Sequence, residues 1–189
     1  FWAEHGVSLP QVFYLKGLGD LSNLQSVADA CANPQFKVLG LVVDKVDRIM
    51  HGMELGSSGM HNQVQQWAAG GFLSALIDLL LETGFAVFLT ADHGNVESVG
   101  CGSPREGVTA EMRGERSRIY SDVVLRDTVA SKFPNATVWK PIGLPDDFLP
   151  LLAPDRRAFV KQGDRTVAHG GITLEEVVVP FIQVLGETT

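Results

Sequence analysis

Two apolar, β-prone runs limit most strictly what this chain can fold into: residues 37–44, KVLGLVVD, and residues 85–91, FAVFLTA. A strand that is apolar on both faces must be covered on both, and the usual cover is helices packed over a parallel sheet. Such a helix is readable between the two runs. Over residues 62–83, Val64, Trp67, Ala68, Leu73, Leu76, Ile77, Leu80 and Leu81 recur at three- and four-residue steps, the period of an amphipathic helix. Gly84 stands where such a helix stops.

The remaining pattern continues the alternation. Residues 12–15 read as a strand, and Ser22 as the N-cap of a helix that runs to about Cys31 and is stopped by Asn33-Pro34. Ser121 or Asp122 starts another helix, ending before Pro134-Asn135. Strands are expected at 136–139, 157–161 and 181–185, and Thr173-Leu174-Glu175-Glu176 has the capping-box pattern of a short helix. Residues 100–118 read as a loop, and 141–154 as irregular with a helical turn at 146–151. The expectation is one α/β domain over residues 1–189, with a mostly parallel sheet flanked by helices.

Composition narrows the function classes. The formal net charge of -7 speaks against a general nucleic-acid coat, which wants a basic surface, but leaves room for a local basic pocket. No uncharged apolar run approaches the ~20 residues needed to span a bilayer. Cys31 and Cys101 form no Cys-x-x-Cys pair, which fits a reducing, cytoplasmic compartment. The chain opens at Phe1-Trp2 without a Met or a signal-peptide pattern and is read as a piece of a longer polypeptide.

Three motifs carry chemistry. Asp92-His93-Gly94 follows the apolar run 85–91, placing a carboxylate and an imidazole at a strand end, with Gly94 permitting a sharp turn. Asp47 and His51 are four residues apart just past the run 37–44 and share one face if that segment is helical. His169 precedes Gly170-Gly171, a loop that can carry it inward. Aspartate and imidazole together suit zinc, manganese or iron. Five ligands are too many for one tetrahedral catalytic ion and a natural number for two. The bland readings are a surface helix pair for Asp47 and His51, and a turn for His169-Gly170-Gly171. Glu97 is either a partner orienting His93 or a solvated loop residue. Arg113, Arg116 and Arg118, with Glu111 and Glu115, form either a phosphate-facing cluster or ion pairs that order a loop.

The order Asp47-x-x-x-His51, Asp92-His93-Gly94, His169-Gly170-Gly171 resembles that of the metal ligands in the alkaline phosphatase superfamily. The wider text is similar to the PglZ family: Ala91 through Glu97, then Met112-Arg113-Gly114-Glu115-Arg116, then His169-Gly170-Gly171 leading to Leu174-Glu175-Glu176-Val177-Val178-Val179-Pro180-Phe181. The resemblance spans residues 37–185. It implies a first metal site of Asp47, His51 and His169 and a second to which Asp92 and His93 contribute, with two divalent ions, zinc first and manganese as the alternative. It also implies an upstream Asp and a Ser or Thr nucleophile, and neither is identified in this chain. The expectation is therefore the C-terminal portion of an alkaline-phosphatase-like core lacking its N-terminal nucleophile strand, weakly active or inactive as it stands. The implied activity is metal-dependent phosphoester hydrolysis or phosphotransfer on a phosphate-containing substrate, a nucleotide phosphodiester being the first guess. The implied setting is bacterial defence against phage, with other defence proteins as partners and no membrane. The rivals are a non-catalytic metal-binding interaction module and a metal-dependent mutase of the same superfamily.

Overall fold

A computed structural model describes residues 1–51, 56–104, 112–140 and 142–186. The chain divides into two compact units. The first comprises residues 1–53, 58–89 and 181–189, and the second residues 54–57 and 90–180.

In the first unit, β1 (Val12–Leu18) is followed by a short 3-10 turn, Leu21–Asn23, and by α1 (Leu24–Ala32). The turn is closed by the Asn23 side chain, which accepts from the amides of Gly19 at 3.1 Å and Asp20 at 2.9 Å. Asn23, rather than the expected Ser22, thus organises the helix start. β2 (Val38–Val43) lies parallel to β1, from Val12 opposite Val38 to Leu18 opposite Val43. α2 (Lys45–His51) follows, and its helical backbone puts Asp47 and His51 one turn apart on one face.

The helix expected over 62–83 is two helices, α3 (Gly56–Ala69) and α4 (Phe72–Glu82), with a bend of 46° between them. The periodicity runs through Gly70-Gly71, but Gly71 takes φ 80°, a left-handed conformation that no continuous α-helix contains. β3 (Val87–Thr90) comes next. Gly84, at φ 86°, reverses the chain after α4 as its position predicts. No single helix among the described residues is long and apolar enough to cross a membrane. The core of this unit is Leu18, Val27, Phe72, Leu76, Leu80 and Val87. Phe72, Leu76 and Leu80 form one stripe along α4 at four-residue spacing. Trp67 packs against this core while its Nε1 donates to the Gly19 carbonyl at 2.6 Å.

The second unit is built from short strands: β4 (Val96–Gly100), β5 (Met112–Arg113) and β6 (Ser117–Tyr120). α5 (Val123–Lys132) follows, N-capped by the Asp122 side chain, which accepts from the Leu125 amide at 2.7 Å. Then come β7 (Thr137–Val138), β8 (Leu149–Leu152), β9 (Arg157–Ala158), β10 (Arg165–Ala168) and α6 (Leu174–Val177). β11 (Phe181–Val184) returns to the first unit and pairs with β3. One sheet of the second unit has the order β10-β4-β9 and the other β5-β6-β8-β7. Tyr120, Val129, Leu149, Leu151, Ala153 and Phe159 form its core.

The architecture is mixed α/β with several small sheets, and the mostly parallel sheet expected from the sequence is not what the described residues form. β1–β2 and β4–β9 are parallel, whereas β4–β10, β5–β6, β6–β8 and β7–β8 are antiparallel. The expected loop at 100–118 contains β5 and the start of β6, and the expected helical turn at 146–151 runs instead into β8, which is buried along its length. Part of that loop, 105–111, lies outside the described residues and includes Glu111.

Leu76 is 4 % exposed in the core of the first unit and Leu9 is 88 % exposed on its surface. Leu76→Ala is expected to destabilise by about 2–5 kcal/mol and Leu9→Ala by no more than about 0.5 kcal/mol, as read from urea unfolding.

Candidate metal centre

The antiparallel pair β4–β10 brings two of the predicted ligands together. Val96 faces Ala168, and Val99 faces Arg165. His93 enters β4 three residues before Val96, and His169 leaves β10 one residue after Ala168, so both imidazoles stand at the same end of the ladder. Their rings stack with centroids 3.8 Å apart and planes 11° from parallel. An expectation of one parallel sheet edge is thus replaced by an antiparallel register that does the same work.

His93 is further fixed by its own loop. Its Nδ1 lies 3.1 Å from the Gly94 carbonyl. Protonated there, the ring donates to that oxygen and keeps a lone pair on Nε2, the arrangement common in metal-binding histidines. Asp92 accepts from the His93 amide at 3.1 Å, and a carboxylate oxygen lies 3.8 Å from His93 Nε2. The Asp92 side chain is otherwise open to solvent.

The donor chemistry fits a divalent ion. Imidazole nitrogens and carboxylate oxygens are donors that zinc and manganese both accept. Asp47 and His51 stand on α2 in the first unit. The side chains of His51 and Arg113 lie outside the described residues.

What holds the two histidine loops is a residue first read only as a helix cap. Glu176 on α6 is 2 % exposed. Its carboxylate takes Arg116 Nε at 2.9 Å and Nη2 at 2.8 Å, the Gly171 amide at 2.8 Å, and the Thr173 amide and hydroxyl at 3.1 and 2.9 Å. Its backbone carbonyl accepts from the Gly94 amide at 2.9 Å. The side chain of one residue therefore secures the loop after His169, and its main chain secures the loop after His93. Arg116 is fully buried, and its remaining Nη1 donates to the Arg157 carbonyl. Of the two readings open for Arg116, its observed contacts are those of an ion pair ordering loops. The sequence signal for this hub was present as the capping-box glutamate and an Arg in Met-Arg-Gly-Glu-Arg, but nothing local says that they meet.

The motif glycines have separate reasons. A Cβ on Gly94 would stand 1.9 Å from the Glu175 carbonyl oxygen, so close approach of α6, rather than a sharp turn, requires glycine. Gly170 has φ 99°, and a Cβ on Gly171 would lie 2.6 Å from Arg116 Nη2 and 2.7 Å from Glu176 Oε2. Glu97 lies on β4 and pairs with Arg165 Nη1 at 3.3 Å across the ladder. Arg118 is buried and donates to the Phe159 carbonyl at 3.3 Å.

This assembly of small sheets and a paired-histidine loop cluster belongs to the alkaline-phosphatase-like class of domains. Residues 18–184 match the family described as BREX system PglZ alkaline phosphatase-like domain, and the chain belongs to that family. The family ties the chain to BREX phage defence and so to other proteins of that defence system. No curated protein matches the chain.

Burial opposes the charge on Glu176, but Arg116, the amides of Gly171 and Thr173 and the Thr173 hydroxyl outweigh it and hold the pKa at about 2. A carboxylate lowered on folding stabilises the fold above its unfolded pKa, near 4.5, and loses that contribution as pH falls toward the folded value. Between pH 4.5 and 2 the second unit is expected to lose about 3 kcal/mol from this group, measured as falling urea midpoints. Glu176→Gln is expected to leave Arg116 uncompensated, at a cost of about 3–5 kcal/mol at pH 7. Gly94→Ala, which forces α6 to shift, is expected to cost about 1–3 kcal/mol by the same measurement.

Proposed function

We propose that the chain carries the metal-binding part of a phosphoester hydrolase or phosphotransferase. The observation that carries this is the stacked pair of His93 and His169 on loops clamped by one buried glutamate. Asp47, on α2 of the first unit, is the carboxylate that the family order adds to His169. Following the family order, Asp47, His51 and His169 serve one ion and Asp92 and His93 the other, with zinc as the first candidate metal and manganese the second.

Two bound ions supply an activated oxygen nucleophile and neutralise charge on the transferred phosphoryl group. The chain's own part is to hold the ligands. The Gly94 carbonyl orients His93, Glu176 fixes both loops, and the exposed Asp92 would supply a carboxylate oxygen to its ion. Arg116 holds Glu176, which leaves Arg113 as the cation of that segment proposed for the substrate phosphate. The proposed substrate is a phosphodiester such as that of a nucleotide, and the proposed compartment is the cytoplasm. No nucleophile is assigned in this chain. A metal-binding module without turnover is the second reading.

Elemental analysis of the purified chain, loaded with zinc or manganese and dialysed, tests the site. The wild-type chain is expected to retain metal, and Asp47→Ala, Asp92→Ala and His169→Ala each to weaken retention at least about tenfold. Unchanged metal in all three variants refutes the proposed ligands. Hydrolysis of a p-nitrophenyl phosphodiester by the metal-loaded chain, lost with Asp92→Ala, excludes the binding module.

A further inference from the structure

The second unit contains a cleft of about 240 Å³ at the end of β4 away from His93. His93 precedes that strand and Cys101 follows it, so the two ends lie about 15 Å apart along the chain's rise. The cleft is lined by Cys101, by Lys132, Phe133 and Asn135 at the end of α5, and by Arg157 and Gln162 around β9.

Its charge stands out against the chain. The sequence has 22 acidic and 15 basic residues, yet among the described residues this cleft is lined by two cations and no carboxylate. Lys132 and Arg157 are exposed, and neither forms an ion pair among the described residues. The carbonyl end of α5 accounts for a lysine at position 132, but not for an arginine brought in from another element. That arginine is presented by a tight turn, closed by the Arg157 amide on the Pro154 carbonyl at 2.9 Å. Within it Asp155 has φ 41°, the one non-glycine residue at positive φ among the described residues. Aspartate tolerates this left-handed position in turns.

The rest of the lining suits an organic body rather than a bare ion. Phe133, Pro134, Ala136 and Pro154 make apolar walls. Asn135 and Gln162 add carboxamides, each able to donate and accept. We infer that this cleft binds a small phosphomonoester with a flat, partly polar body, of the nucleoside monophosphate type. Arg157 and Lys132 hold the phosphate, and the carboxamides meet the edge of the base. The site shares no residue with the histidine pair and stands independently of the metal reading.

Equilibrium dialysis of the chain with labelled AMP, in EDTA so that no metal site contributes, tests this. Saturable binding is expected, weakened about tenfold or more by Arg157→Gln and by Lys132→Gln. Unlabelled AMP should compete better than adenosine or inorganic phosphate. Cys101 supplies the location: AMP should slow its alkylation by a maleimide at least about threefold at saturation, by coverage of one wall, and leave Cys31 in the first unit unaffected. No saturable binding, equal binding by Arg157→Gln, equal competition by inorganic phosphate, or unaltered alkylation of Cys101 would each overturn the inference.

Discussion

The second unit depends on one buried ion pair. Arg116 and Glu176 are 0 % and 2 % exposed, and removing two charges from water costs several kcal/mol per ion unless geometry and hydrogen bonding repay it. Here they do. The guanidinium meets the carboxylate with two parallel bonds, and the remaining acceptor capacity is filled by two amides and a hydroxyl. A pair so fully satisfied tolerates little change. Loss of either partner leaves a charge with no water to solvate it.

The pair also explains the spelling of both histidine motifs. Glycine at 94 lets the α6 backbone come within reach of the Gly94 amide, and glycine at 171 leaves the room that the ion pair occupies. Histidine-bearing loops are ordinarily the mobile parts of a domain. In this one each is tied at the residue next to, or next but one from, its imidazole. A single helical turn, through the side chain and the main chain of Glu176, supplies both anchors.

Strands were legible at 12–15, 37–44 and 85–91 because each rests on an apolar run, and the structure has them at 12–18, 38–43 and 87–90. Caps and stops likewise made α1, α5 and α6 legible. The candidate ligands were found from order and residue type. What stayed hidden has a common physical cause. The β6–β8 and β4–β10 pairs join short strands distant in sequence, so their antiparallel register is set by tertiary pairing. The break at Gly70-Gly71 was masked by a periodicity that continues across it. The Arg116–Glu176 pair joins residues 60 positions apart, and each had a sufficient local explanation in a charged loop or a helix cap.

The hub reaches further than the histidines. Arg116 Nη1 donates to the carbonyl of Arg157, the residue whose side chain enters the cleft beyond β4. A continuous chain of hydrogen bonds therefore runs from the His169 loop through Glu176 and Arg116 to the turn that presents Arg157. Continuity alone does not make a switch, since coupling requires an element with two arrangements of similar energy. Arg116 has both its fork positions on Glu176 and its third donor on Arg157, and neither residue has a second partner waiting in the described structure. The hub ties the His169 loop and the turn that presents Arg157 to one buried pair, at the two ends of a five-residue strand.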